Sequence, residues 1–331
     1  ADPTTNFDWE YILIENKINI ELIFAPEHGY YSNSDNGDLL EDDNDKLTGI
    51  KIISLYGKTK KPLPKHLKDI DVILFDIQDV GVRFYTFIST LHYVMEACAE
   101  ENIPIIILDR PNPNGHYVDG PVLDLKYKTF VGMHPVPIVH GMTIGEYAKM
   151  INGEGWLKNN IKCDLKIIVN RNYTHKSKYI LPIRPSPNLP NNQAIYLYPS
   201  LCLLEPTSIS IGRGTEKQFQ IYGHPNFPKS NFQFKPKPNF GSKNPKWKNR
   251  ICYGITLEKI EVPSKIELTW LIDAYNKIQR KEMFFKDSFE RIAGNGKLRG
   301  QIINKVSEIE IRKSWRVEIE KFKRIRKKYL L

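Results

Sequence analysis

The stretch from Asp71 to Leu108 reads DVILFDIQDVGVRFYTFISTLHYVMEACAEENIPIIIL. Its two ends, Asp71–Ile77 and Ile103–Leu108, are short and almost continuously apolar and β-branched. That is the pattern of strands covered on both faces of a parallel sheet. Between them Ile88, Leu91, Met95 and Cys98 recur at helical spacing. Strand, helix and strand within this length imply a right-handed crossover, and so predict a doubly wound α/β architecture. Working outward, Ile18–Ala25 (INIELIFA), Ile50–Tyr56 (IKIISLY) and Cys163–Val169 (CDLKIIV) read as further strands. Thr143-Ile-Gly-Glu146 matches a capping box and opens another helix, which ends near Gly153–Gly155.

The pattern changes after Pro182, Pro185, Pro187 and Pro190. Four prolines this close cannot lie in a regular element, so residues 182–190 read as an extended, semi-rigid crossing. Beyond it come short strands, an irregular Pro/Asn/Lys-rich stretch at Pro225–Asn249, and helices near Leu268–Ile278 and Glu308–Tyr329. The expectation is an α/β domain over 1–181 and a smaller α+β domain over 191–331.

Composition narrows the class. The chain has 331 residues, 41% hydrophobic and 26% charged, which fits a folded globular protein. No apolar run approaches the roughly 18 residues of a membrane helix. The opening residues lack the basic, apolar and cleavage regions of a signal peptide. The net charge of +10 favours anionic surroundings, and part of it is concentrated in Lys321–Lys328. There Trp315, Ile319, Phe322 and Tyr329 mark a packed helix face with a solvated basic face behind it. No nucleic-acid-binding module is present. Cys98, Cys163, Cys202 and Cys252 are scattered without ligand spacing, so they read as small core residues rather than a zinc site.

Chemistry is expected beyond the carboxyl ends of parallel strands. Three strands run into dense polar clusters. One ends in Ala25-Pro-Glu27-His28-Gly29. Another ends in Asp76-Ile-Gln-Asp79-Val-Gly-Val-Arg83-Phe-Tyr85-Thr86, and a third in Asp109-Arg110-Pro-Asn112-Pro-Asn114-Gly115. Asp76, inside an apolar strand, reads equally as a catalytic group or as a buried partner of Arg83 or Arg110. Asp79 lies one step further out. Glu146 is spent on the capping box. His134 and His140 flank a short extended run and read first as structural. In the second half, Glu205-Pro-Thr-Ser-Ile-Ser-Ile-Gly212-Arg213-Gly214-Thr215 sets an arginine fork between glycines. No Rossmann glycine fingerprint, Walker A loop or nucleophile elbow occurs, so no nucleotide cofactor is expected.

Those strings, together with Val118-Asp-Gly-Pro-Val-Leu123, Val139-His-Gly-Met-Thr143, Pro185-Ser-Pro-Asn-Leu-Pro190 and Leu197-Tyr-Pro-Ser-Leu-Cys202, resemble the exo-β-N-acetylmuramidase family, long known as a domain of unknown function. The resemblance continues to Arg326-Lys-Lys-Tyr-Leu-Leu331. It implies a Rossmann-like, mostly parallel-sheet catalytic domain, with the smaller α+β domain closing a cleft. It also implies release of N-acetylmuramic acid from the non-reducing end of peptidoglycan-derived glycans, outside the cytoplasm, with no cofactor and no metal. Glu27 corresponds to the family's proposed catalytic glutamate. Two departures stand out. Family members begin with an extra strand ending in Thr-Asn, where this chain has only Thr4-Thr5-Asn6, and they carry arginine where it has Tyr31.

Glycoside hydrolysis needs a proton for the leaving oxygen and a nucleophile at the anomeric carbon. Glu27 is assigned as general acid. Asp79 is the leading partner, with Asp76 and Glu205 behind it. Arg83, Arg110 and Arg213 are forks for the lactyl carboxylate. His28, Tyr85, Asn112, His140, Glu205 and Thr215 complete the expected substrate contacts. Two rival readings are a glycan-binding protein that keeps the cleft without turnover, and a metal-dependent phosphoesterase built on Asp76, Asp79, His28 and His140.

Overall fold

A computed structural model describes residues 9–31 and 41–331. The Thr4–Asn6 departure lies outside the described residues. Helix α1 (Trp9–Glu15) leads to β1 (Leu22–Ala25), shorter than the run from Ile18 suggests, then β2 (Asp43–Asn44) and β3 (Lys51–Ser54). A short α2 (Pro64–Leu67) precedes β4 (Ile73–Phe75), α3 (Phe87–Glu101), β5 (Ile105–Leu108), α4 (Ile144–Gly153) and β6 (Leu165–Ile168). β1 and β3 pair in parallel, Leu22 opposite Lys51, with β2 antiparallel on the far edge. β4, β5 and β6 form a second, fully parallel sheet, with Ile73 opposite Ile105 and Ile105 opposite Leu165.

Local chemistry explains the two main helices. α4 starts on the expected capping box, in which Thr143 Oγ1 accepts from the Glu146 amide and Glu146 Oε2 from the Thr143 amide. α3 ends where Asn102 takes a left-handed conformation, and its amide returns to the Cys98 carbonyl. Ile88, Leu91, Met95 and Cys98 pack on Ile105 and Ile107 of the parallel sheet, together with Ile144, Tyr147 and Ile151 of α4.

The second half holds α5 (Asn192–Leu201), an antiparallel sheet of β7 (Ile221–His224), β8 (Gln233–Phe234) and β9 (Cys252–Thr256), then α6 (Thr269–Lys277), α7 (Phe289–Ala293), α8 (Lys297–Ile303) and α9 (Glu308–Arg326). β9 is central. The fold is α/β, a mostly parallel layer joined to a smaller α+β assembly. α9 buries Ile311, Trp315, Ile319 and Phe322 and shows most of its charges to solvent, while Arg312 and Arg326 turn onto the body of the protein. All four cysteines are buried and free. No helix among the described residues is long and apolar enough to cross a membrane.

A second apolar core begins at Val80–Phe87, takes in Ile138 and Val139, and continues from Leu181 to Ile319. It therefore runs straight through the proline-rich crossing. Leu181, Ser186, Asn188 and Leu189 are buried, so residues 185–189 of that segment are packed into the core, while residues 182–184 are exposed.

Candidate active site

β1 delivers Glu27. The chain leaves Ala25 through a turn in which the Gly29 amide donates to the Pro26 carbonyl at 3.0 Å. His28 and Gly29 both adopt positive φ, 74° and 77°. Glycine does so freely, whereas a histidine there costs about 1–3 kcal/mol. This strained corner holds Glu27, 8% exposed, at the strand's carboxyl end. The Thr86 hydroxyl donates to Glu27 Oε2 at 2.7 Å. Thr86 is the N-cap of α3, yet its side chain caps none of the helix amides. A threonine cap is ordinarily worth about 1 kcal/mol, so the hydroxyl is spent on the carboxyl instead. Tyr56, just past β3, also hydrogen-bonds Glu27. Burial first, and the Glu27 charge second, push the Tyr56 hydroxyl's pKa up.

Asp79 follows β4 and is sealed, 4% exposed. Its Oδ2 accepts from the Gly81 amide at 2.6 Å, and Oδ1 has no partner. Burial raises its pKa to about 7, against the pull of the Gly81 and Val80 amides. His140 is fully buried beside it, with Nε2 3.9 Å from Oδ2. His140 Nδ1 accepts from the Met142 amide, which leaves the neutral ring's proton on Nε2, facing Asp79. Burial, then the charges of Arg326 and Arg83, hold His140 down at about 3. His134 bridges the Tyr147 hydroxyl and His92 inside the core.

Several expected substrate contacts are occupied by the fold. Arg110 grips both oxygens of Asp76 through Nε and Nη2 at 2.6 and 2.7 Å, so the ion pair between the two strand ends is real. Arg83 is completely buried. Its Nη1 donates to the Pro121 and Val136 carbonyls, and its Nη2 to those of Ile292 and Ala293, at 2.7–3.0 Å. Burial lowers it to about 9, still charged at neutral pH. Arg83 is thus a brace between the halves and offers a substrate nothing.

Asn112 donates to the Met142 carbonyl and accepts from the Asn114 amide. It presses so closely under Gly81, at φ 76°, that a Cβ there would lie 2.2 Å from its side-chain oxygen. The Tyr85 hydroxyl donates to the Pro185 carbonyl at 2.7 Å, and its ring stands edge-on to Phe87 and Tyr198. His28 is buried on the strained turn. The Tyr31 hydroxyl donates to Asp45 Oδ1.

Across the crossing, Arg213 Nε donates to Glu205 Oε1 at 2.6 Å, and the guanidinium lies 5.2 Å from the Phe219 ring centroid. The Thr215 hydroxyl closes the adjacent turn on the Gly212 carbonyl at 2.6 Å. Lys246 donates to the carbonyls of Leu204, Glu205 and Ile209. Burial lowers Lys246 to about 8, opposed by the Glu205 charge. A cavity of about 330 Å³ opens over these groups. Among the described residues, no three His, Cys, Asp or Glu side chains cluster as metal ligands.

Sequence reasoning passed over Thr86, Tyr56 and Lys246. Thr86 stood in a quoted motif at a helix start, where a cap is the ordinary reading. Lys246 sits in a stretch whose composition looks solvated, and nothing local signals its burial.

Residues 4–193 match the family described as Exo-beta-N-acetylmuramidase NamZ, N-terminal, and residues 196–331 match its C-terminal counterpart. The peptidoglycan beta-N-acetylmuramidase NamZ of Bacillus subtilis (strain 168) is 39% identical over 345 residues, covering 97% of this chain and 82% of that protein. The crystal structure of a DUF1343 family protein from Bacteroides fragilis NCTC 9343 superposes with a TM-score of 0.92 at 47% identity, covering 99% of this chain and 90% of that one. A second DUF1343 protein of that organism gives 0.82 at 28% identity, with 98% and 90% covered. The chain belongs to the exo-beta-N-acetylmuramidase NamZ family.

Proposed function

We propose that this protein is a glycoside hydrolase that removes N-acetylmuramic acid from the non-reducing end of peptidoglycan-derived glycans, with Glu27 as the proton donor. Its place of action is then outside the cytoplasmic membrane, where peptidoglycan lies. One observation carries the assignment: Thr86 gives its hydroxyl to Glu27 rather than to its own helix, at a corner strained at His28. A hydroxyl can donate to a carboxylate and accept from a carboxylic acid, so Thr86 can hold Glu27 in place before and after proton transfer. Local stability is given up for orientation, as at sites that perform chemistry.

The second catalytic group is constrained. Asp76 is committed to Arg110, Asp79 is sealed, and Glu205 is tied to Arg213. The substrate's own 2-acetamido oxygen is then the leading group for attack at the anomeric carbon, a known exception to the scheme of acid and enzymic nucleophile.

Glu27→Gln should lower kcat on the natural disaccharide by at least about 10²-fold while the thermal midpoint stays near that of the wild type. A glycoside with a very good leaving group should suffer less, because it needs little protonation. Near-normal turnover of the disaccharide by the variant removes Glu27 from the mechanism.

A further inference from the structure

Helix α3 carries Thr86, Ser89 and Tyr93 three and four residues apart, a spacing that places them on one face. From that face two routes lead to Glu27. The first is direct, with the Thr86 hydroxyl on Glu27 Oε2 at 2.7 Å. The second runs through Phe130. The Ser89 hydroxyl donates to the Phe130 carbonyl at 2.7 Å, and the Tyr93 ring lies within 13° of parallel to the Phe130 ring, centroids 6.2 Å apart. Thr129 and Gly132 exchange amide hydrogen bonds at 3.0 Å and close the turn that carries Phe130. Phe130 in turn meets the Tyr56 ring, centroids 6.2 Å apart and tilted by 53°. The Tyr56 hydroxyl completes the second route with its hydrogen bond to Glu27.

The Tyr56 backbone is fixed as well. Just past β3, Ser54 Oγ accepts from the Tyr56 amide at 3.2 Å and donates to the Tyr56 carbonyl at 3.0 Å. Tyr56 is only half-buried, so water could serve its hydroxyl, and burial alone does not demand a carboxylate partner. One hydroxyl fixes one oxygen of a carboxyl and leaves the plane free to swing about that contact. A second hydroxyl, arriving from a different element, sets the plane. A proton donor needs this, because transfer to a glycosidic oxygen depends on reach and alignment.

We propose that Tyr56 is a positioning residue for the proton donor: with Thr86 it fixes the plane of the Glu27 carboxyl, and Phe130 holds Tyr56 in place from the stripe on α3. This rests on the glycosidase reading above, with Glu27 as the acid. Tyr56 neither gives nor takes a proton in the reaction; burial first, and the Glu27 charge second, keep its proton on the phenol.

Kinetics of Tyr56→Phe separate this role from a merely structural one. The variant keeps the ring, so its thermal midpoint should stay within about 2 °C of the wild type. On the natural disaccharide kcat should fall about tenfold, the low end for a hydrogen bond to a charged group, with KM within about twofold. On a β-glycoside with a very good leaving group the loss should be under about threefold, since little protonation is needed there. Phe130→Leu should give a smaller loss of the same kind. Combined with Tyr56→Phe it should add nothing, because it acts through the hydroxyl.

Wild-type kinetics in Tyr56→Phe, equal losses on both substrates, a change in KM alone, or additive losses in the combined variant overturn the inference. Glu27→Gln tells its failure from that of the reading beneath it. A crippled Glu27→Gln beside a wild-type-like Tyr56→Phe overturns the positioning role alone. Near-normal turnover of the disaccharide by Glu27→Gln removes the proton donor on which that role rests.

Discussion

Asp79→Asn isolates one buried carboxyl. Asparagine keeps the shape and the bond from the Gly81 amide, and it cannot ionise. In the wild type the folded pKa is raised, from 3.8 to about 7, because burial disfavours the charge. The native state therefore holds a proton that the unfolded chain releases. The resulting stabilisation is complete below the unfolded pKa and disappears as pH rises through about 7. At pH 5 about two pKa units of it remain, roughly 3 kcal/mol, and by pH 9 it is gone. Between those two values the wild type should lose roughly 3 kcal/mol that the variant keeps. For a chain of this length that is roughly 4 °C in thermal midpoint. Scanning calorimetry of both proteins at pH 5, 7 and 9 makes the comparison, since every other titrating group cancels between them. Parallel pH profiles would refute the reasoning and would mean that Asp79 stays ionised, sharing the His140 Nε2 proton.

Two further substitutions probe the frame around the site. Thr86→Val removes the hydroxyl from Glu27 and should cut kcat about tenfold while leaving the thermal midpoint within about 2 °C, because the hydroxyl caps no helix amide; a large fall in midpoint with unchanged kcat would show that it is structural. Arg83→Met strands four buried carbonyls on both sides of the molecule and should destabilise by about 3–5 kcal/mol, measured by denaturant unfolding; a loss under 1 kcal/mol would deny it the role of a brace.

The strands and main helices were legible because continuous apolar runs and a capping box are local signals. Ile105–Leu108 and Thr143–Glu146 need no distant partner to declare themselves. Charged side chains are different. Arg83 resembled a substrate fork because its acceptors, Ile292 and Ala293, lie more than two hundred residues away. Asn112 resembled a sugar contact until its side chain proved to lie against Gly81. Asp76 could be read two ways, and the structure shows the pairing, with Arg110 donating to both of its oxygens. The four prolines correctly marked an irregular segment, but proline content says nothing about burial, and Leu181 and residues 185–189 are buried. Glu27 was visible because a carboxyl at a strand end beside glycine is where parallel-sheet chemistry gathers.

The core that begins at Val80 and closes only at Ile319 also governs how the molecule is made. A ribosome adding roughly 5–20 residues per second finishes Val80–Phe87 long before it reaches α9. For roughly 10–50 s those apolar side chains have no permanent cover, and Arg83 has no carbonyls at 292 and 293 to receive it. α9 and the residues just after it then stitch the assembly shut, with Arg326 Nε donating to the Gly141 carbonyl at 3.1 Å and the Tyr329 hydroxyl to Glu154 at 2.6 Å. A chain stalled before α9 would therefore leave the apolar side chains of Val80–Phe87 without their full cover. Val80–Phe87 is written early and covered late.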